Sequence, residues 1–156
     1  MTRGLRGDAA AQPVDRGHSV LLTPKDDARE DFRGFEIRRI SDGAVIGSIE
    51  ISRIARGNFQ SAYLGYRIAV AERRRGYMTE ALQLALRHAF RDLKLHRVEA
   101  NVEPGNEASI ALVRRAGFTR EGFSRRYLKL GGRWRDHERW ALLREDWRPP
   151  ARGPRS

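Results

Sequence analysis

The sequence RRRGYMTEAL (residues 73–82) joins a strand-like run, residues 63–70, to a long amphipathic helix. Three arginines and Gly76 lie at this joint, and no residue before the helical pattern is a strong N-cap type. The first N–H groups of the helix are therefore open to another acceptor. A strand, a basic glycine loop and a helix N-terminus together favour an anion, and the helix dipole adds roughly 0.3–2 kcal/mol. We predict a phosphate site; the alternative is Thr79 as N-cap, with Gly76 only a turn and the arginines solvated.

The composition excludes several kinds of chemistry. The chain has 156 residues and no cysteine, so disulfides, cysteine zinc sites and thiol nucleophiles are ruled out. Its four histidines are scattered without metal-ligand spacing, and we predict no metal site. No apolar run reaches the roughly 18–20 residues of a membrane span, and the N-terminus lacks the apolar core of a signal peptide. We therefore expect a cytoplasmic protein that does not enter a membrane.

The formal net charge of +11 belongs to the body of the chain. Residues 1–31 contain 5 basic and 6 acidic residues, so the excess of positive charge lies beyond residue 31. Such a body attracts anions, among them nucleic acid, phosphate-bearing cofactors and acidic surfaces. A solvated, arginine-rich surface explains the composition equally well.

Hydrophobic periodicity predicts one α/β domain between two tails. Residues 1–17 are rich in Gly, Ala, Asp and Arg without periodicity and are expected to be disordered, the domain spans residues 18–148, and residues 149–156 form a loose Arg/Pro tail. Strands alternate with period two and helices with period 3.6. The patterns predict strands over 18–23, 35–40, 45–51, 62–70, 96–102, 118–130 and 133–143, helices over 78–93 and 107–116, and a brief helical pattern over 24–32.

Local signals indicate how these elements connect. Asp42-Gly43 and Gly131-Gly132 each separate two strand patterns and predict hairpins. Asn106 is the predicted N-cap of the second helix, and Gly117 its C-terminal stop. The strand–helix–strand unit in the middle requires a right-handed parallel crossover, whereas the flanking strands form hairpins. The sheet is therefore predicted to be mixed.

Motifs around and beyond the joint carry a family resemblance. RRRGYMTEAL resembles the acetyl-CoA loop of the GNAT N-acetyltransferases, Gln/Arg-x-x-Gly-x-Gly/Ala at a helix start, with Arg73, Gly76 and Met78 on the three defined positions. Met78 departs from the small residue usual there. In chain order QSAYLGY, YMTEAL, LHRVEAN, PGN-x-AS, AGF-x-x-EG, and WRDH followed by DW resemble the RimJ/RimL subfamily. That subfamily acetylates ribosomal protein N-termini, and the likeness covers roughly residues 34–147.

The resemblance implies a single GNAT domain with a mixed, splayed sheet around a central βαβ unit. It implies direct transfer of acetyl from acetyl-CoA to a primary amine, without a metal. Family members normally carry two helices between the first strand and the first hairpin, and most of this helical cover is missing here. The chain is then a shortened paralogue, or a partner supplies the cover, or activity is reduced. The cofactor contacts that the resemblance implies are Ile68, Ala69, Val70, Arg73, Arg75, Gly76, Tyr77, Met78, Thr79, Asn106 and Ser109.

The resemblance also implies two catalytic residues. Glu99 lies where several GNAT enzymes carry a catalytic base, and its alternative role is a strand carboxylate paired with Arg97. The usual tyrosine acid falls on Val113, so Ser109 is the next candidate to protonate the leaving thiolate. A first-turn serine bonded to its own backbone is the alternative for Ser109. Asn106 is expected to contact the cofactor, to cap its helix, or both.

The acceptor side is predicted from the last hairpin and from the energetics of amines. Trp134, Asp136 and His137 match the family's WRDH segment near the acceptor groove and are predicted to bind substrate, with a structural role as the alternative. An α-amine of pKa about 7.7–8.0 needs roughly 1 kcal/mol to lose its proton at pH 7, whereas a lysine of pKa about 10.4 needs roughly 4.6 kcal/mol. A site with one candidate base and no tyrosine acid therefore favours an α-amine.

The leading prediction is acetyl-CoA-dependent acetylation of a protein N-terminus of the ribosomal-protein type, with the ribosome as a partner and the chain monomeric or weakly dimeric. A small amine such as a polyamine is the alternative acceptor. A catalytically weak CoA- or ribosome/RNA-binding module is the alternative from another class. It is kept because so basic a body repels basic ribosomal proteins and attracts RNA or CoA.

Overall fold

The computed structural model describes residues 15–150. The predicted strands and helices are confirmed in kind and order, except over residues 24–32. In chain order the elements are β1 (Asp15–Arg16), β2 (Val20–Pro24), β3 (Arg33–Arg39), β4 (Val45–Ala55), β5 (Ser61–Ile68), α1 (Tyr77–Arg87, continued by a π-helical turn, His88–Asp92), β6 (Arg97–Val102), α2 (Glu107–Arg115), β7 (Thr119–Leu130) and β8 (Arg133–Leu143).

The eight strands form one sheet in the order β1-β2-β3-β4-β5-β6-β8-β7. All neighbours are antiparallel except β5 and β6, which are parallel because α1 crosses between them. Residues 61–63 of β5 pair with residues 97–99 of β6, and beyond them the two strands continue without pairing to each other. The predicted mixed, splayed sheet is confirmed. We call the opening between the two strand ends the β5–β6 gap.

The core lies between one face of the sheet and the two helices. Helix α1 contributes the apolar stripe that its period predicts, and α2 contributes Leu112 and Val113. Each fully buried large side chain stabilises the fold by roughly 1.5–3 kcal/mol. The largest of these include Phe35, Ile37, Ile49, Ile51, Leu82, Leu86, Phe90 and Leu142.

The helical pattern predicted over residues 24–32 is wrong. Pro24 ends β2 opposite Phe35, and the residues that follow form no helix. Asp27 instead accepts the backbone N–H of Arg29 at 2.9 Å and its guanidinium at 2.7 Å. Local bonding by an Asp side chain competes with helical hydrogen bonding, and the apolar spacing alone does not overcome it.

The second face of the sheet is therefore covered by no helix within residues 15–150, in agreement with the shortened helical cover predicted for this chain. We call it the open face. Because strand side chains alternate between faces, it is polar where the first face is apolar. It carries Glu36, Arg38, Ser48, Glu50, Ser52, Tyr63, Arg97, Glu99 and Asn101.

The two predicted tails lie mostly outside the described residues. Of residues 1–17 only the last three are described, and Asp15–Arg16 pairs with β2 as the edge strand, so the predicted disordered tail does not extend over these two residues. Asp15 Oδ1 lies 2.9 Å from Arg87 Nη1, which ties this strand to α1. Of residues 149–156 only the first two are described. No helix in the described part of the chain is long and apolar enough to cross a bilayer.

Candidate active site

The joint at residues 73–82 leaves backbone N–H groups free at the start of α1. Gly76 precedes the helix in the left-handed conformation, φ +81°, and no side chain caps the helix. Glu80 is the first residue whose N–H is bonded back, to Gly76 O at 3.2 Å. The N–H groups of residues 76–79 find no acceptor among the described residues. We call these four N–H groups the cradle. Thr79 is the third residue of the helix, so the alternative prediction that it is the N-cap is wrong.

Positive charge at the cradle comes from exposed arginines. Arg73, Arg74 and Arg75 are exposed and form no ion pair within residues 15–150. Tyr77 and Met78 are partly buried and pack against the core. The large side chain of Met78, unusual for the motif, is therefore accommodated by the core. The free N–H groups and free guanidinium groups together suit an anion.

Two sets of contacts hold the cradle in place. The carboxylate of Glu80, in the first turn of α1, accepts the backbone N–H groups of Ser19 and Val20 at 2.7 and 2.9 Å. On the other side, Arg39 Nη1 lies 2.6 Å from Glu72 Oε1, just before the joint. Both pairs connect the joint to strands β2 and β3, which belong to the core sheet. The acidic residue of the YMTEAL motif is thus structural.

One arginine beside the cradle escaped prediction. Arg115, the last residue of α2, places Nη1 3.5 Å from Thr79 Oγ1. This contact brings a fourth guanidinium to the start of α1. It depends on how the two helices pack, which no local sequence motif encodes.

The β5 side of the gap offers backbone donors. Ala69 donates its N–H to Ile46 O at 2.8 Å, so it faces β4 and cannot supply the N–H predicted of it. Because successive backbone N–H groups along a strand point to opposite sides, the N–H groups of Tyr66 and Ile68 point into the β5–β6 gap. Ile68 therefore remains a backbone donor, whereas Val70 already lies in the short 3-10 turn after β5.

A cleft of about 650 Å³ lies at the gap. Its wall includes groups from β4, β5, β6, the start of α2 and the β7–β8 hairpin. Asn101 lines it, and Asn101 Oδ1 is buried without a hydrogen-bond partner among the described residues. A buried acceptor without a donor is costly, so this atom suits an N–H group brought by a ligand.

Two hydroxyl groups meet in this cleft. Tyr66 Oη and Ser109 Oγ are hydrogen-bonded to each other, so the Ser109 hydroxyl is not bonded to its own backbone. Asn106 accepts the Ser109 N–H at 3.1 Å, which confirms it as the N-cap of α2. Burial raises the pKa of Tyr66 and the hydrogen bond to Ser109 partly opposes the rise, so Tyr66 is protonated at neutral pH. Prediction from sequence missed Tyr66, although QSAYLGY places it just upstream of the joint.

The predicted base, Glu99, does not line the cleft. Its side chain is 15% exposed, and its Oε2 lies 2.9 Å from Arg97 Nε, which confirms the ion pair given as the alternative. Arg97 also contacts Glu121, and these two carboxylates, Glu121 foremost, raise the pKa of the guanidinium. Glu50, by contrast, lines the cleft and has no ion pair in the described part of the chain.

The three residues predicted to bind the acceptor line two different cavities. His137 lines the cleft, is 2% exposed, and is held by a hydrogen bond between its Nδ1 and Arg135 O at 2.9 Å. Trp134 and Asp136 line a neighbouring recess instead. Trp134 is 60% exposed, and Asp136 Oδ1 accepts the backbone N–H of Arg126 at 2.8 Å.

The sequence of this chain matches the model of a known family. A family model described as acetyltransferase (GNAT) domain matches residues 9–119. The chain belongs to the GNAT acetyltransferase family. The resemblance predicted from the motifs is thereby confirmed.

Two curated GNAT relatives are similar over most of this chain. The [ribosomal protein uS5]-alanine N-acetyltransferase of Escherichia coli K12 is 42% identical over 105 residues, covering 67% of this chain and 54% of that protein. The probable N-acetyltransferase YjcK of Bacillus subtilis is 42% identical over 112 residues, covering 72% of this chain and 62% of that protein. The chain therefore spans less than two thirds of the length of either relative.

Solved GNAT structures share the fold. Mycobacterium smegmatis RimJ in complex with CoA-disulfide superposes with a TM-score of 0.70 at 37% identity, covering 74% of this chain and 54% of that one. A chimera of the spermidine N-acetyltransferase SpeG from Vibrio cholerae and hSSAT superposes with a TM-score of 0.67 at 25% identity, covering 74% and 69%.

The residues present fit the acetyl-CoA that the GNAT fold uses. The cradle offers four free N–H groups, residues 76–79, beside unpaired arginines, which suits a pyrophosphate. The gap next to it has an unpaired strand edge where Ile68 can donate to an amide-containing chain. Within residues 15–150 no group of three or more His, Cys, Asp or Glu side chains could hold a metal ion.

Proposed function

We propose that this chain transfers the acetyl group of acetyl-CoA to the α-amine of a protein N-terminus. The observation that carries the proposal is that the free N–H groups of residues 76–79 follow β5, whose unpaired edge borders the β5–β6 gap and the cleft of about 650 Å³. The name of the Escherichia coli relative supports an N-terminal alanine as the acceptor and a ribosomal protein as the first substrate to test.

On the donor side, residues 76–79 and the side chains of Arg73 and Arg75 would hold the pyrophosphate. The helix dipole and the N–H groups act together there, and each interaction of this kind contributes roughly 0.3–2 kcal/mol. The N–H of Ile68 would hold the chain of the donor in the gap. Acetyl-CoA supplies the activated thioester, and the protein supplies its position relative to the amine.

On the acceptor side, Glu50 is the carboxylate best placed to receive an ammonium group. It lines the cleft on the open face and is not neutralised by an arginine among the described residues. The Asn101 carbonyl oxygen then accepts one N–H of the same amine. Since an α-amine needs only roughly 1 kcal/mol to become neutral at pH 7, Glu50 or a water molecule beside it suffices as base.

The Tyr66–Ser109 pair supplies the proton that the sulfur needs. The neutral amine, which has already given one proton to Glu50 or water, bonds through its nitrogen to the acetyl carbon as the carbon–sulfur bond breaks, and the nitrogen releases a second proton to water. Ser109 donates its hydroxyl proton to the departing sulfur and takes the Tyr66 proton in return. Tyr66 is then reprotonated from solvent. This path replaces the tyrosine that is absent at Val113.

A polyamine is the second candidate acceptor, favoured by the likeness to the SpeG chimera. A screen of acceptors decides between the two. We expect an α-amine peptide to be acetylated with a higher kcat/KM than spermidine, as read by thiol release and mass spectrometry. A higher kcat/KM for spermidine would instead make a small amine the acceptor.

Acetyl-CoA is expected to stabilise the protein against heat. At a ligand concentration of 100 Kd, binding adds about 2.7 kcal/mol of stability, which raises the Tm of a chain of this size by roughly 5–10 °C. The Arg73→Gln/Arg75→Gln double variant is expected to bind about tenfold more weakly because two charges beside the cradle are lost. Differential scanning fluorimetry over a CoA titration measures both.

Arg125→Gln is the matched control for that titration, because Arg125 is exposed on β7 and outside the cradle. Its CoA affinity should equal that of the wild type. Absence of any stabilisation of the wild type by acetyl-CoA or CoA would refute acetyl transfer by this chain, to peptides and polyamines alike.

Glu50→Gln is expected to lower kcat/KM for an α-amine peptide by about tenfold, mainly through KM, because the ammonium loses its carboxylate partner. Glu99→Gln is expected to change kcat/KM by less than about twofold, because Glu99 is occupied by Arg97 outside the cleft. Steady-state kinetics on the two isosteric variants measures this. A large loss of kcat in Glu99→Gln alone would instead establish Glu99 as the base.

A further inference from the structure

A second recess adjoins the catalytic cleft on the side of the β7–β8 hairpin. It has a volume of about 610 Å³ and lies between the connection that precedes α2 and the hairpin. Glu103 and Asn106 line both the recess and the cleft, so the two are continuous. None of the mechanistic steps above uses this recess.

The recess carries unbalanced positive charge. Its wall holds three arginines, at positions 126, 133 and 135, against the carboxylates of Glu103 and Asp136. Glu103 pairs with Arg135 at 3.3 Å, whereas Asp136 accepts only a backbone N–H and keeps its charge, so the wall has an excess of one positive charge. The guanidinium groups of Arg126 and Arg133 form no ion pair within the described residues.

The charge extends along the hairpin and surrounds an exposed aromatic side chain. Residues 125–135 contain five basic residues and no acidic one. Trp134 is 60% exposed in the wall of the recess, the largest exposed fraction of any tryptophan in residues 15–150. An exposed tryptophan between free arginines is typical of a surface that contacts a partner, because the ring offers apolar area and an N–H donor at low entropic cost.

We propose that this recess binds an acidic segment of the acceptor polypeptide, just downstream of the amine that enters the cleft. The inference rests on the proposed function, because it makes the occupant of the recess a continuation of the acceptor. Since the two sites share Glu103 and Asn106 as lining residues, the acidic segment follows closely on the residue whose amine enters the cleft.

The proposal gives the basic hairpin a role in substrate choice. Acidic side chains of the acceptor pair with Arg126 and Arg133, and its backbone or a side chain lies against Trp134. An acceptor with lysine or arginine at the same positions meets like charge and is disfavoured. N-termini with acidic residues after the first two positions are therefore the preferred class, and strongly basic N-termini are poor substrates.

The test uses three peptides that share their first two residues and carry Glu, Gln or Lys at positions 3–6. We expect kcat/KM for the Glu peptide to exceed that for the Gln peptide by about tenfold and the Lys peptide to be slower still. The preference should fall to less than about twofold in Arg126→Gln/Arg133→Gln and weaken as salt is raised. Arg125→Gln, on the same hairpin but outside the recess lining, should keep the preference.

A binding measurement separates this proposal from the catalytic one. The acetylated Glu and Gln peptides are titrated into the protein with CoA present, and affinity is read by calorimetry. A tighter Glu peptide, weakened in the double variant, supports the recess even if no peptide is turned over. Equal affinities together with equal turnover would overturn it while leaving acetyl transfer intact. Binding of a single-stranded RNA oligonucleotide through the same two arginines, with no peptide preference, would assign the recess to nucleic acid instead.

Discussion

Ser109→Ala is expected to lower the single-turnover rate of acetyl transfer by about 100-fold, and Tyr66→Phe by about 10- to 100-fold. General acid catalysis typically contributes about 10²–10⁴-fold, and these two hydroxyls are hydrogen-bonded to each other in the cleft. Because they form one proton path, the double variant should be no slower than Ser109→Ala alone. Rapid-quench measurement of acetylated peptide, with both substrates saturating, reports the chemical step.

Structural damage is distinguished from loss of the proton path by two further measurements. CoA affinity should change by less than about twofold in these variants, since neither hydroxyl contacts the cradle. The solvent deuterium isotope effect of the wild type should shrink in Tyr66→Phe. Ser41→Ala, in the exposed turn after β3, is the control for loss of a serine hydroxyl. A wild-type rate in Tyr66→Phe, or losses that multiply in the double variant, would contradict the relay.

Gly76→Ala is expected to weaken acetyl-CoA binding by about 10- to 100-fold. Gly76 has a φ of +81°, where an alanine costs roughly 1–2 kcal/mol, and relief of this strain would move the free N–H groups that begin at this residue. Its Cβ would meet no protein atom within 4 Å and would enter the open space beside the cradle. Calorimetric titration with CoA measures the loss.

Gly57→Ala is the matched control for backbone strain. Gly57 lies in the loop between β4 and β5 and has a φ of +69°, and the Cβ of an alanine there would likewise meet no protein atom within 4 Å. Both variants should therefore lose similar stability to urea, roughly 1–2 kcal/mol. Only Gly76→Ala should lose CoA affinity. Equal CoA affinity in the two variants would show that the cradle does not bind the donor.

Most of the fold could be predicted because its signals are local. The Asp42-Gly43 turn, the apolar stripe of α1 and the Asn106 cap each depend on neighbours within a few residues. The helix predicted over residues 24–32 was wrong because a different local signal was overlooked. Asp27 accepts the backbone N–H of Arg29, and the spacing of apolar residues does not report this bond. A weak amphipathic pattern of under three turns does not outweigh such competition.

The site was predictable only where a motif is continuous in the chain. The cradle lies within ten consecutive residues and was found from them. The Tyr66–Ser109 bond joins residues 43 positions apart and depends on how far β5 and β6 diverge. The same limit applies to Arg115 beside the cradle and to Glu50 in the cleft, because each reaches the site only through sheet register or helix packing.

The open face affects how well water is excluded from the thioester in the β5–β6 gap. Because no helix within residues 15–150 lies over this face, we expect that in the proposed reaction water reaches the β5–β6 gap from the side on which Glu50 lines the cleft. Hydrolysis of the thioester then competes with transfer to the amine, and electrostatic contacts in the gap are weakened by solvent. In the proposed reaction the acceptor polypeptide itself closes the gap when it binds. A long acceptor that spans the gap and the hairpin thus excludes water from the thioester as it binds, whereas a small amine leaves the thioester exposed to water.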